Sequence, residues 1–260
     1  AGIAHPEIHA VPLALSNLPP QLRGFRIAHV SDIHIATLTT RAWLQSLVES
    51  INAEDPDIVC ITGDLADGLP TYRSPNGLKR YEVAASLANL SAPLGVWACT
   101  GNHEYYSDYT GWMHVYADLG INFLHDTATC FKYKGANLVI AGRDDQQADR
   151  ILGRKNLSPS RVFYGQPEAG TQTARIMLDH RPWRCDENAA AGCTLQLSGH
   201  THGGQCLGMD RLVAMANRGY VRGVYTVSNM RLYVNSGACL WNGFPIRLGV
   251  PAEVAIITLM

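Results

Sequence analysis

Several apolar runs in this 260-residue chain end the same way, in side chains that bind metals or carry protons. Residues 25–30 run into Asp32-Ile33-His34, and residues 194–197 into His200-Thr201-His202. Between them, other runs end at Gly63-Asp64, at Gly101-Asn102-His103-Glu104 and at Asp179-His180. Short apolar runs bounded by turn residues read as buried strands, and open α/β sheets collect ligands at the carboxyl ends of their strands. In extended chain, residues i and i+2 point to the same side. Asp32 with His34, and His200 with His202, are therefore expected to aim as pairs into one pocket. A lone His or Gly-Asp past a strand is ordinarily a turn or surface residue, but five such endings point to a shared site. The donors are carboxylate, amide and imidazole with no paired Cys, which suits a hydrolytic transition-metal centre better than a structural zinc site.

The intervening segments alternate. Residues 41–53 have helical spacing, with Trp43, Leu44, Leu47, Val48 and Ile51 on one face and a stop at Asp55-Pro56. Residues 57–62 and 94–100 read as buried strands, and 78–90 and 109–119 as helices. Residues 11–15 look extended. Beyond residue 120 the chain turns β-rich, at 129–133, 137–141, 175–178, 194–197, 224–227, 232–234 and 254–259. Strands alternating with helices, then many strands, predict an α/β fold with mixed sheets. No low-complexity linker divides residues 1–260, which read as a single domain, with 142–170 expected as a mobile insertion.

Hydrophobic residues make up 47% of the chain, enough for a large core, and charged residues 17%, which excludes global disorder. The net charge of -1 gives no strong nucleic-acid signal. No apolar run approaches the ~18 residues of a bilayer span. Because the chain begins with Ala1, an upstream leader or membrane anchor is expected outside it. Of seven cysteines, Cys60 and Cys99 read as small buried hydrophobes; Cys185 and Cys193 flank a short loop and could pair, though no framework spacing supports it. The leftover thiols lean towards a reducing compartment.

The order Asp32-x-His34, Gly63-Asp64-x-x-Asp67, Gly101-Asn102-His103-Glu104, His180, then Gly199-His200-Thr201-His202 resembles the calcineurin-like metallophosphoesterase family, from Ile27 to the C-terminus. The longer forms Ser198–Gln205 and Leu232–Gly237 resemble a bacterial branch. Members of that branch often carry an N-terminal membrane segment, and some are pyrophosphatases acting on UDP-diacylglucosamine. The resemblance implies a four-layer α/β/β/α sandwich of two mixed sheets flanked by helices. It implies two divalent or transition-metal ions (Mn, Fe or Zn), the first held by Asp32, His34 and His202, the second by Asn102, His180 and His200, with Asp64 bridging. Two cations ~3.5–4 Å apart share a water, lower its pKa and clamp phosphoryl oxygens in an in-line attack.

On that reading Asp64 and His103 are the catalytic pair. His103 follows Asn102, so its side chain diverges from the metals and is placed to protonate the leaving oxygen or stabilise phosphoryl charge. The expected substrate is a phosphate ester, a phosphodiester or pyrophosphate, such as the nucleotide-lipid UDP-diacylglucosamine. A phosphomonoesterase, a nuclease or a non-catalytic metal-binding scaffold is the alternative. Membrane association is expected only through a segment absent from this chain, on the cytoplasmic face, with an extracytoplasmic site as the alternative. Asp67 is expected to hold its loop or touch metal, and Glu104 to orient the catalytic loop. Arg143, Arg218 and Arg222 are read as surface or phosphate contacts, Tyr105, Tyr106, Tyr109 and Trp112 as packing, and His29, His114 and His125 as structural.

Overall fold

The computed structural model describes residues 4–260. In its first sheet β1 (Glu7–Leu13) forms one edge, followed by β12 (Glu253–Leu259), β2 (Arg26–Val30), β3 (Ile58–Thr62), β4 (Val96–Cys99) and β5 (Ile121–Phe123). All neighbours are parallel except β12 and β2. The second sheet runs β10 (Gly223–Val227), β11 (Met230–Val234), β9 (Leu195–Ser198), β8 (Thr173–Leu178), β7 (Ala136–Gly142) and β6 (Thr127–Tyr133). Its two outer pairs are antiparallel and its inner four strands parallel.

Each strand residue chooses a layer by the period of two. In β3, Ile58 and Cys60 face the second sheet, where Leu138, Ile140, Ile176 and Leu197 meet them. Val59 and Ile61 face outward, into the core made with Trp43, Leu44, Leu47, Val48 and Ile51 of α1 (Arg41–Asn52). Val83 of α2 (Arg80–Ala84) and Trp112 and Tyr116 of the 109–118 helix complete that layer. A third core lies behind the second sheet, where Val139, Met177 and Leu232 pack on Val162, Phe163 and Cys185. Three cores between four layers give the α/β/β/α sandwich, and both mixed sheets fit the expected fold class.

Several boundaries differ from the sequence reading. The edge strand β1 begins earlier than residue 11, because half its side chains face solvent and leave no apolar run. The 78–90 helix is two pieces, α2 and a 3-10 turn over Ala85–Asn89. The 142–170 stretch is not a bare insertion. It carries α-helical turns at Gln147–Leu152 and Pro159–Val162, pinned where Arg154 and Asn156 donate to Asp144. All seven cysteines are free, Cys185 and Cys193 included.

Candidate metal centre

The first sheet delivers Asp32 and His34 after β2, Asp64 after β3, and Asn102 and His103 on a short helix, α3 (Asn102–Tyr106), after β4. The second delivers His180 after β8, and His200 and His202 after β9. These ends do not continue as extended chain. Asp32, His34, Asp64, His200 and His202 have φ of 54, 47, 53, 71 and 49°, the left-handed region that Asn, Asp and His tolerate better than other side chains. The same-side rule for i and i+2 therefore fails here. Asp32 and His34 still converge, but His200 and His202 part and enter different groups.

One group is Asp32, His34 and His202, and another is Asp64, His180 and His200; within each, the ligand atoms lie inside 4.8 Å of one another. In the first, His34 Nε2 is 3.2 Å from His202 Nε2, and His202 Nε2 is 3.4 Å from Asp32 Oδ1. In the second, His180 Nε2 is 3.2 Å from both Asp64 Oδ2 and His200 Nδ1. Asp64 Oδ2 is also 3.9 Å from His34 Nε2, so one carboxylate oxygen faces both groups. Its other oxygen accepts the His103 N–H at 2.8 Å.

The chemistry of these atoms fits cations. Asp32 Oδ1 and Asn102 Oδ1 are buried and have no hydrogen-bond partner, an unfavourable state unless something else takes their lone pairs. The Asp32 Oδ2 atom is fully engaged by Ser31 Oγ at 2.5 Å and the His200 N–H at 3.0 Å. His180 Nδ1 lies 2.6 Å from the Thr62 carbonyl, so it must carry the proton and leave Nε2 free. Asp67 Oδ1 does the same for His34 Nδ1 at 3.1 Å.

Asp67 also meets His103 Nδ1 at 2.7 Å, so it orients two imidazoles; both distances are those of N–H···O bonds. Burial works against a charged His103, but the Asp67 hydrogen bond and the Asp64 charge raise its pKa to about 9. Burial opposes charge on both His180 and Asp64, but their mutual attraction outweighs it, raising the pKa of His180 and lowering that of Asp64; a cation at Nε2 would take the place of that second proton. Burial lowers His202 to about 3, and burial with the neighbouring His180 and Arg181 charges lowers His200. Glu104 is buried and accepts from the backbone N–H groups of Gly101, Leu65 and Asp64 at 2.6, 2.8 and 2.9 Å, so it orients the loop that carries Asn102 and His103. Gly199 has no alternative, since a Cβ there would run into Ser31 Oγ and Asp32 Oδ2.

Other residues fall outside the centre. Arg143 is buried against Asp179 and Glu187, Arg218 pairs with Asp186, and Arg222 donates to the Gly203 carbonyl. His29 is buried on Thr62, His125 pairs with Asp144, and His114 is exposed. Tyr105 and Trp112 pack as expected; Tyr106 does not, being 56% exposed beside His103. The sequence reading missed Arg181 and Arg247. Arg247 Nη2 donates to the carbonyls of Ser236, Gly237 and Cys239 and so braces the loop around His202. An open groove of about 330 Å³ runs from His200 and His202 past Trp241 to Met209, Leu212 and Val213. A larger cavity of about 710 Å³, behind Arg247 and reaching His5 and Glu7, holds none of the clustered ligands.

A family profile described as calcineurin-like phosphoesterase matches residues 25–204. A metallophosphoesterase of Caenorhabditis elegans is 32% identical over 98% of this chain and 52% of its own length. The Danio rerio transmembrane protein with metallophosphoesterase domain is 30% identical over 98% of this chain and 57% of its own. The chain thus spans little more than half of these relatives. Among solved structures, the sulfate thiohydrolase SoxB of Thermus thermophilus superposes with a TM-score of 0.56 at 12% identity, over 93% of this chain and 57% of that one. A 5'-nucleotidase precursor, also of Thermus thermophilus, gives 0.51 at 13%, over 90% and 54%.

Proposed function

The chain belongs to the calcineurin-like phosphoesterase family, and we propose that residues 1–260 form one catalytic domain that hydrolyses a phosphodiester or pyrophosphate bond with two bound cations. The observation that carries this reading is Asp64 Oδ2, which faces His180 Nε2 and His34 Nε2 at 3.2 and 3.9 Å. A single carboxylate between two imidazole groups suits a pair of cations. Asp32, His34 and His202 would hold one, and Asn102, His180 and His200 the other, with Asp64 shared. When bound, Mn, Fe or Zn would lower the pKa of a coordinated water and neutralise phosphoryl charge. Nitrogen and oxygen donors fit all three metals.

The protein's own part is to orient and to move a proton. Asp67 fixes His34 and His103. The Asp67 hydrogen bond favours the protonated form of His103, the form that would give a proton to the leaving oxygen. The groove beyond His200 and His202 has room for a second substituent on phosphorus, which supports diester or pyrophosphate over monoester. Its apolar side at Leu212 and Val213 is compatible with a nucleotide-lipid such as UDP-diacylglucosamine. No described helix is long and apolar enough to cross a membrane. We place any membrane attachment of the whole protein in a segment outside this chain; the Danio rerio relative is named a transmembrane protein. Seven free thiols favour a reducing, cytoplasmic face.

The test is a substrate panel on metal-stripped protein reloaded with Mn, Zn or Fe. Bis(p-nitrophenyl) phosphate, p-nitrophenyl phosphate, a nucleotide pyrophosphate and UDP-diacylglucosamine would be compared. Turnover of diester or pyrophosphate above monoester, with two metal equivalents, is expected. Faster monoester turnover would reverse the preference, and reloaded protein that cleaves none of the four would end the catalytic reading.

A further inference from the structure

Arg181 follows His180 directly, yet its side chain stays at the centre. Its Nε and Nη2 rest on the Asp145 carboxylate at 2.5 and 3.4 Å. The Trp183 ring lies 4.9 Å from the guanidinium carbon, and the side chain is only 9% exposed. Held from two sides, Arg181 ends with Nη1 3.3 Å from His200 Nε2. Among the described residues, no oxygen accepts a hydrogen bond from Nη1.

His200 turns its other nitrogen, Nδ1, towards His180 Nε2 and the Asp64 group. A neutral imidazole has one lone pair and one N–H. If Nδ1 spends its lone pair on a cation, the proton sits on Nε2. Arg181 Nη1 and His200 Nε2 are then both donors, and neither can satisfy the other. A half-buried pair of donors without an acceptor is unfavourable, so the two N–H groups call for one external acceptor between them.

We propose that Arg181 Nη1 and His200 Nε2 form a two-donor site for a phosphoryl oxygen of the substrate, with Asp145 and Trp183 as positioning residues. The inference rests on the reading of His180 and His200 as ligands of one cation. The oxygen belongs either to the phosphoryl group under attack or to a second phosphate beside it. Planar guanidinium with one edge on a carboxylate presents its remaining N–H groups in a fixed direction, which a lysine at this position could not do.

Arg181→Gln and Arg181→Lys, made in the full chain and reloaded with zinc, test this by calorimetric titration with inorganic phosphate and inorganic pyrophosphate. Both variants should keep two zinc equivalents by elemental analysis. Arg181→Gln should weaken anion binding by about 10- to 100-fold, the usual range for a hydrogen bond to a charged group, and Arg181→Lys by less. A larger loss for pyrophosphate assigns the oxygen to a second phosphate; equal losses assign it to the group under attack. Unchanged affinity for both anions, in protein that still binds two metals, overturns the proposal. So does loss of zinc, which would make Arg181 a support for the ligands. A second measurement needs no variant. In zinc-loaded protein with 15N-labelled imidazoles, added phosphate should move the His200 Nε2–H resonance downfield, and an unmoved resonance also overturns it. Failure of the dinuclear reading looks different, with fewer than two metals bound or no hydrolysis.

Discussion

The two sheets contribute unlike halves to the centre. The ends of β2, β3 and β4 bring both ligand carboxylates, Asp32 and Asp64, with the amide of Asn102. The ends of β8 and β9 bring only imidazoles, His180, His200 and His202, with the Arg181 guanidinium beside them. The carboxylates that face the centre therefore come from one side and the imidazoles from the other, and the halves are joined where His180 meets the Thr62 carbonyl and His200 N–H meets Asp32. On the proposed reading, the first sheet supplies the carboxylates that would hold the cations, and the second would complete their coordination and face the anion.

The largest effect should come from the carboxylate side. Asp64→Ala should abolish turnover and leave one metal equivalent or none, because both groups share this oxygen. Elemental analysis of purified variant settles it, and two equivalents with intact activity would break the comparison at its centre. His103→Asn should keep both metals yet lower kcat by roughly 10²–10⁴, the range for general acid catalysis. Nitrophenolate esters need less protonation and should lose less than alkyl esters; equal losses would point to charge stabilisation instead.

Smaller effects separate structure from chemistry. Glu104→Ala strands three buried backbone N–H groups, and each costs ~1–3 kcal/mol. A clear drop in stability by denaturant unfolding is expected, and an unchanged midpoint would show that the loop stands without its carboxylate. The smallest effect at neutral pH is at His29, which lies between the sheets with its ring 5.8 Å from Tyr233. Burial lowers its pKa from 6.5 to about 3. The unfolded chain takes up a proton there before the folded one does. Stability from this group is thus present above pH 6.5 and is lost as pH falls towards 3, at ~1.4 kcal/mol per unit for one proton. His29→Gln should flatten that slope in urea titrations across the window; an identical slope would mean the acid sensitivity arises elsewhere.

The strands that carry ligands were legible because they are buried on both faces. All five side chains of β3 and all but the first of β2 are buried, so apolar composition marks them and the polar residue that follows stands out. The edge strands β1 and β5 lack that contrast. The resemblance assigns His200 and His202 to different cations, while the spacing rule aims them together; in the structure they sit on turned backbone and enter different groups. Arg181 drew no reading from the sequence at all. Its partner carried the signal: Arg143-Asp144-Asp145 also follows an apolar run, at the end of β7, and the rule that marked the other five endings would have marked this one. An acidic residue buried there needs a cation, and Arg181 is the one that reaches it.

The left-handed backbone at five proposed ligand residues changes what mutagenesis of this centre measures. Asp and His tolerate that conformation better than most side chains, and alanine does not. An alanine scan would therefore remove a donor and also place an unfavourable residue on the turn, of order 1–2 kcal/mol each, and the sum would be misread as coordination energy. Glycine variants at Asp32, His34, Asp64, His200 and His202 delete the donor while leaving the turn free to form. The difference between each glycine and alanine pair would then report the conformational share alone, residue by residue.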